Sequence, residues 1–521
     1  MVDAPADPLA VWAAQHPDGV AVVDEGAVTT WADLNARVNR LAGGLVALGM
    51  AAGERAAWCG PNSLQVLVAM HACRKLGLVA VPVPYGSSAD ECHHVLADSG
   101  AGVVMVDAAH ASTVDSALPR LAQVRHALSF GGPIPGMRQL EEVSSLGSSA
   151  EPAPVPDAGR VMIYTSGTTG RPKGAIRRRS DPALQAAMMA ELHFGPTSGS
   201  GSEVHLVTGP LYHAGPHAFA LLTHGVGGTL VVTRSFDPAE WIRLVGEHRV
   251  TSAFVAPTHL KRIVALPDHV LGAADLSSLR SVIANAAPVP FALKEEVIAR
   301  LGDGILYEVY GSTELGIATV LQPEDQLRKP GSCGRPYGDI GLTVVDDDGV
   351  ALAPGIAGEI FVRSSQAIDG YHGSTEPITR LPADPAWKSV GDIGWVDGDG
   401  YLHICDRRTD MVITGGVNVY PAEVEAVLHA HPDVADVAVI GVHDDEWGER
   451  VHAVVVAEAG RGLDAASLDA FVAVHLAGAK RPRSWEFCDE LPRTGSGKVL
   501  KRVLRSTAEG PDRAAESPAP R

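Results

Sequence analysis

Apolar and polar positions alternate along this chain in two periods. Segments 10–15, 31–48 and 64–78 repeat apolar residues at helical spacing, and the reading assigns a helix to each. Segments 79–84 and 102–107 are short, nearly unbroken apolar runs, as expected of strands buried on both faces. Runs 204–208, 229–233, 252–256 and 281–284 continue the series. Helix-like and strand-like stretches in alternation predict parallel sheets covered by helices, an α/β architecture.

The texture changes twice. Residues 144–157 and 195–202 are rich in Ser, Gly, Pro and Ala and are assigned to a linker and a flexible loop. Beyond about residue 334, short strands at 342–345 and 358–362 flank the Asp346-Asp347-Asp348-Gly349 turn, as in a smaller β-rich subdomain. A charged break, Asp406-Arg407-Arg408-Thr409-Asp410, precedes a further α+β pattern: helices at 421–429 and 468–476, strands at 434–442 and 453–457. The expected division is 1–406, a connecting segment 407–410, a small unit 411–506, and a polar tail 507–521 without stable structure.

Composition narrows the class. The chain has 521 residues, 46% hydrophobic and 20% charged, enough apolar material for more than one core. Its net charge of −19 disfavours nucleic acid and anionic membrane surfaces as partners. Six scattered cysteines without a C-x-x-C pair read as reduced thiols. Cys92-His93-His94 lacks a second cluster with ligand spacing, so satisfied side chains are expected there rather than a metal. Residues 1–8 show no signal-peptide pattern, and no run is long and apolar enough to span a membrane, so the cytoplasm is the expected compartment. Oligomeric state is left open between monomer and homodimer.

The strongest chemical signal is Tyr164-Thr165-Ser166-Gly167-Thr168-Thr169-Gly170-Arg171-Pro172-Lys173-Gly174-Ala175. The apolar run 161–163 feeds it as a strand would. Gly167 and Gly170 let backbone N–H groups approach an anion, Thr165, Ser166, Thr168 and Thr169 add hydroxyls, and Lys173 adds a charge. A polyphosphate suits this loop. It lacks the G-x-x-x-x-G-K-[ST] spacing of a Walker A loop, which disfavours ordinary P-loop chemistry.

This string resembles the phosphate-loop signature of the adenylate-forming superfamily, which comprises acyl-CoA synthetases, peptide-synthetase adenylation domains and firefly-type luciferases. The resemblance runs from about residue 10 to 505, and further motifs follow in family order. The fold it implies is a large N-terminal domain of stacked sheets with helices and a β-rich subdomain, plus a small hinged α+β C-terminal domain. Pro210-Leu211-Tyr212-His213 resembles the aromatic-histidine motif, which implies His213 beside the substrate carboxylate and Tyr212 in the acyl pocket. Asn285-Ala286-Ala287-Pro288 resembles the turn lining adenine and acyl pockets, so Ala287 and Pro288 are expected at the nucleotide. Tyr310-Gly311-Ser312-Thr313-Glu314 resembles the Y-G-x-T-E motif, which implies Tyr310 on adenine, Thr313 on phosphate and Glu314 holding Mg²⁺. Ser389-Val390-Gly391-Asp392 implies a ribose-binding Asp392, and Arg407 maps to a ribose- and phosphate-contacting arginine.

The resemblance places the pivot at Thr409, where the family carries Asp or Lys, with Asp410 as the alternative. Gly415 and Gly416 match glycines of a pantetheine tunnel, and Trp447 and Arg481 match coenzyme A contacts. Ala479 stands where aryl-CoA ligases carry an aromatic. Pro492-Arg493-Thr494-Gly495-Ser496-Gly497-Lys498 matches the final motif, making Lys498 the adenylation lysine. Arg177-Arg178-Arg179 is read as a solvated basic run, with contact to the coenzyme A 3′-phosphate as the other reading.

The implied activity is ATP- and Mg²⁺-dependent formation of acyl-AMP with release of pyrophosphate, then transfer of the acyl group to coenzyme A. A carrier protein is the alternative acceptor, and a catalytically silent acyl- or nucleotide-binding homologue the alternative class. Pocket candidates are Tyr212, His213, Ala214, Gly215, Phe219, Val255, Ala256, Pro257, Asn285, Gly311 and Ile317. They include no evident cation for a second carboxylate, so a hydrophobic monoacid is expected: fatty, aryl or polycyclic. Ala214 and Gly215 are expected to leave room for bulk.

Overall fold

A computed structural model describes residues 7–155, 159–165, 172–177, 181–195, 203–374, 378–458, 460–493 and 498–509. Among these residues the strands form four sheets. A seven-stranded sheet holds Arg55–Cys59, Val79–Val83, Val103–Asp107 and His126–Phe130 in parallel. Its edge is the antiparallel pair Val161–Thr165 and Lys173–Arg177. A nine-stranded sheet has a parallel centre, including Val204–Val207, Thr229–Val232, Ser252–Val255 and Ser281–Ala284.

Two helices, Trp31–Ala47 and Leu64–Leu76, lie between these sheets. Leu34, Leu41, Leu67 and Met70 share one core with Val22 and Leu230 of one sheet and Trp58 and Met105 of the other. Trp241, Leu260 and Val297 cover the far face of the nine-stranded sheet, and Val95 and Leu96 that of the seven-stranded one. Covered on both faces, the strands have no polar side to show, so 79–83 is buried at every position.

The expected helix 64–78 ends two residues early. Gly77 caps it at φ 65°, a left-handed conformation natural to glycine, after Ser63 has capped its start. The expected linker 144–157 is tied down over its described part: Asn39 Nδ2 donates to the Ser149 carbonyl at 3.0 Å, and Glu151 pairs with the buried Lys75.

A third, antiparallel sheet runs from Gly341–Val345 to Leu402–Arg407 and packs Val344, Ile360 and Leu402 against Tyr307 and Leu315. A fourth begins at Val412–Thr414. Its long hairpin, Val434–Asp444 with Gly448–Ala457, carries helices Pro421–His429 and Ala465–His475 on one face and Lys501–Glu509 on the other. That last helix reaches into the stretch 507–521 expected to lack structure: Leu504 packs on Ile440 and Val442, and this anchoring carries the helix to Glu509. No helix among the described residues is long and apolar enough to cross a membrane.

Candidate active site

A cavity of about 1030 Å³ opens where the sheets and the C-terminal unit meet. One end is lined by Thr165, Lys173, Thr313, Glu314, Arg407, Arg493 and Lys498. The other runs between the helices Pro182–Glu191 and Ala214–Gly225. Ser166, Gly167, Thr168, Thr169 and Gly170 lie outside the described residues.

At the charged end the chain assembles two small networks. Glu314 is buried, and its Oε1 accepts from Thr165 Oγ1 and Tyr371 Oη, both at 3.0 Å. Lys173 Nζ lies 5.6 Å from the centre of the Tyr371 ring. Burial, then the adjacent Glu314 charge, pushes the Tyr371 phenol up, so it stays a donor. Both hydrogen bonds fall on Oε1, which leaves Oε2 for a hard cation. Among the described residues no group of three or more His, Cys, Asp or Glu can hold a metal. A cation fitting here would take most of its ligands from phosphate and water, as Mg²⁺ does.

In the second network Tyr310 Oη donates to Asp392 Oδ2 at 2.7 Å, and Arg407 Nε pairs with Asp392 Oδ1 at 3.2 Å. Burial works against the Arg407 charge, but Asp392 and Glu314 outweigh it and hold its pKa up. Lys498 is pushed down, first by burial and then by the Arg407 guanidinium. Tyr310 and Asp392 are buried beside the lining residues Gly311, Val390 and Arg407. Tyr310, expected on adenine, spends its hydroxyl on orienting Asp392.

Several expected positions fall elsewhere. Ala287 and Pro288 are exposed and off the cavity; the wall residue is Ala286, held at φ 79°, where a non-glycine residue is strained. Pro257 opens the helix Pro257–Val264 and is buried off the cavity, since proline suits a first helical turn. Val255 borders the cavity, but its side chain belongs to the outer core with Leu260 and Val282. Its neighbour Phe254 turns the other way, as strand alternation requires. The Phe254 ring would lie 2.5 Å from a Cβ on Gly215, so Gly215 seats that ring rather than leaving free room for substrate.

Tyr212, His213, Ala214, Phe219, Asn285, Gly311 and Ile317 do line the cavity. His213 precedes the helix Ala214–Gly225; its Nε2 is buried without a partner, and burial lowers its pKa to about 4. One helical turn on, His217 also lines the cavity with Nδ1 buried and unpartnered. Arg177, expected in a solvated run, is half-buried and lines the cavity, because it ends a strand whose alternate residues face inward. Arg178 and Arg179 lie outside the described residues. His94, from the rejected metal motif, bonds the Pro172 carbonyl at 2.8 Å, and Cys92 is core.

The expected coenzyme A group does not meet this cavity. Gly415 and Gly416, at φ 56° and 79°, form the two-residue turn between Val412–Thr414 and Val417–Val419. A Cβ on Gly415 would lie 2.6 Å from the Trp447 ring, and Arg483 covers that ring at 4.2 Å. Arg481 is committed to capping a helix, donating to the Ala473 and Leu476 carbonyls at 2.9 and 2.8 Å. At the connection, Thr409 is exposed, whereas Asp410 pairs with Arg505 at 2.8 Å. Burial alone would raise the Asp410 pKa; Arg505 and Lys501 outweigh it and hold the carboxyl low.

Comparison with known proteins agrees with this geometry. The model of the AMP-binding enzyme family matches residues 9–372, and that of the AMP-binding enzyme C-terminal domain residues 423–498. A feruloyl-CoA synthase of Amycolatopsis sp. is 38% identical, covering 95% of this chain and 96% of its own. A fatty acid–[acyl-carrier-protein] ligase of Streptomyces coeruleorubidus is 35% identical, covering 94% of each. The structure of O-succinylbenzoate coenzyme A synthetase from Bacillus subtilis, in complex with ATP and magnesium ion, superposes with TM-score 0.82 at 28% identity, over 95% of this chain and 98% of that one. The chain belongs to the AMP-binding enzyme family, the adenylate-forming enzymes.

Proposed function

We propose that this enzyme couples a largely apolar carboxylic acid to coenzyme A through an acyl-adenylate. One observation carries the reading: Lys498, Arg407 and Glu314 converge at one end of a cavity whose other end is walled by apolar helices.

A carboxylate is a poor acyl donor because its leaving group would be oxide. Attack of a carboxylate oxygen on the α-phosphorus of ATP forms a mixed anhydride and breaks the bond to pyrophosphate. A thiol then attacks the acyl carbon and AMP leaves. His213, at the mouth of the helix Ala214–Gly225, is neutral at physiological pH and can donate one hydrogen bond to the acid without forming an ion pair. Lys498 and Arg407 stabilise the charge that grows on phosphate and leaving group. Glu314 would hold Mg²⁺, which would supply further neutralisation of phosphate charge. Asp392, oriented by Tyr310 and Arg407, receives the ribose hydroxyls.

The thiol step asks for a different wall. Lys498 lines the cavity while the Gly415-Gly416 turn does not, so a rotation about 407–410 would exchange them. Of the two pivot candidates we favour Thr409: Asp410 is already paired with Arg505, whereas Thr409 stands in solvent. The similarity to a ligase that loads an acyl carrier protein supports a second reading, in which a protein-bound phosphopantetheine replaces free coenzyme A. Six unpaired thiols fit a reducing compartment such as the cytoplasm.

Pyrophosphate release with ATP and Mg²⁺, run across a panel of acids with and without coenzyme A, tests the reading. Acyl-CoA by mass is the expected product. Acyl-AMP without acyl-CoA would transfer the acceptor role to a carrier protein. Silence across aryl, fatty and polycyclic acids would overturn the catalytic assignment.

A further inference from the structure

Arg177 is a cation in an unexpected place. It ends the strand Lys173–Arg177, paired with Val161 at the far end from the phosphate loop. Residues 173, 175 and 177 share one face of that strand. Four residues of strand separate Lys173 from Arg177 by about 13 Å, so the two cations serve different parts of the cavity. Lys173 stands over Tyr371, the residue that donates to Glu314; Arg177 stands near His217 and Tyr337, which it influences through space.

No carboxylate among the described residues lies within ion-pair distance of Arg177. The influence of Glu314 reaches it, but without contact. Arg177 is half-buried as a whole and lines the cavity, so its charge stands against the space a substrate would fill. Burial pushes its pKa down, and Glu314 and Tyr337 push back. Arginine nonetheless remains charged at any physiological pH.

Two further polar groups line the same cavity. His217 is 4% exposed with Nδ1 unpartnered, and its ring is stacked on Trp58 with centroids 5.9 Å apart. Gln185 lies on the helix Pro182–Glu191, whose Met188 also faces the cavity. Around them the wall is apolar: Phe219, Leu222 and Ile317. A buried guanidinium without a counter-ion is costly, and the cost is recovered only when an acceptor docks against it.

We propose that Arg177, with His217 and Gln185, recognises an oxygen acceptor at the far end of the acid, so that the substrate is an otherwise apolar carboxylic acid bearing a second, distal carboxylate or ketone. This rests on the acid-activating function proposed above. It revises the expectation of a plain monoacid, since the strand following the phosphate loop supplies the cation absent from the pocket candidates. A site that presents a buried charged donor rejects an analogue lacking the matching oxygen, because its own donors are then left dry and unpaired.

The test compares acids of matched length and ring size in three arms: hydrocarbon, ketone and dicarboxylate. Wild type should favour one oxygenated arm over the hydrocarbon in kcat/KM by on the order of 10- to 100-fold, the worth of a hydrogen bond to a charged group. A dicarboxylate winner identifies an anionic substrate and a ketone winner a neutral one. Arg177→Met should erase the preference by lowering turnover of the oxygenated acid alone, and Arg177→Lys should retain part of it. An equal fall for every acid with a raised KM for ATP would assign Arg177 to the phosphates and overturn the proposal. So would a wild-type preference for the hydrocarbon. Absence of pyrophosphate release with all three arms would instead sink the underlying acid-activating function.

Discussion

The two ends of one cavity are built on opposite terms. At the nucleotide end almost every polar side chain is matched: Tyr310 and Arg407 hold Asp392, and Thr165 and Tyr371 hold Glu314. At the acyl end polar atoms wait unmatched: His213 Nε2 and His217 Nδ1 are buried without a partner, and the half-buried Arg177 lines the same cavity. A preorganised network costs no rearrangement when the invariant partner, ATP, arrives. Unmatched groups in an enclosed space make the variable partner, the acid, supply the match, and so they discriminate. Rate should therefore be most sensitive to changes at the first end and selectivity to changes at the second.

The largest break should come from Lys498→Ala. Pyrophosphate release should fall by about 10²- to 10³-fold, the usual consequence of removing a group that meets transition-state charge. Acyl-AMP supplied from outside should still be converted to thioester, because Lys498 serves the first step alone. Normal pyrophosphate release by this variant would dissolve the distinction between the two ends.

Asp392→Ala should follow. It leaves the buried Tyr310 hydroxyl and the partly exposed Arg407 guanidinium without their acceptor, a loss of about 2–3 kcal/mol or a rise of roughly 30- to 150-fold in KM for ATP. Acid selectivity should not change. A shifted acid preference would show that the two ends are not separable.

Phe254→Ala should act in the opposite sense. Removing the ring that rests on Gly215 opens space beside the helix Ala214–Gly225, so bulky acids should gain on slim ones by about tenfold, with KM for ATP unmoved. Equal losses for acids of every size would reduce Phe254 to a packing residue.

The same contrast decides what the sequence made legible. Nucleotide-end residues sit in contiguous strings because a strand and its turn deliver several of them together, as Tyr310 to Glu314 do on and just after the strand Leu306–Ser312. Acyl-end residues arrive singly from separate elements. Phe254 was one register step from the chosen Val255, and strand alternation would have separated them. Arg177 was within reach by counting 173, 175, 177 along the strand, and His217 by counting one turn from His213. Tyr371 had no local signal at all: it reaches the site through an isolated bridge to Ala175. The parallel sheets were readable because burial on both faces leaves unbroken apolar runs. The end of the last helix was not, because its apolar anchor, Leu504, is a single residue whose partners lie about 60 positions earlier in the long hairpin.

The smallest effect separates the ends by pH. At the acyl end burial lowers His213 and His217 to about 4, from an ordinary value of 6.5. A histidine depressed on folding is neutral in the native state and protonates more readily in the unfolded one. Its stabilising contribution is therefore whole above about pH 6.5 and is lost as pH falls through 6.5 toward 4. The urea midpoint should decline across that window and stay flat between pH 7 and 8. His217→Gln removes one such group and should make the decline shallower, even if it lowers the midpoint at pH 7. At the connection 407–410 the carboxyl of Asp410 is held low by Arg505 and Lys501, so its share persists until pH falls below the ordinary carboxylate range. Acid should thus loosen the acyl end before the hinge. A midpoint that held level down to pH 4.5 in wild type would mean that the buried histidines take up protons without strain, and the unmatched acyl end would lose its physical basis.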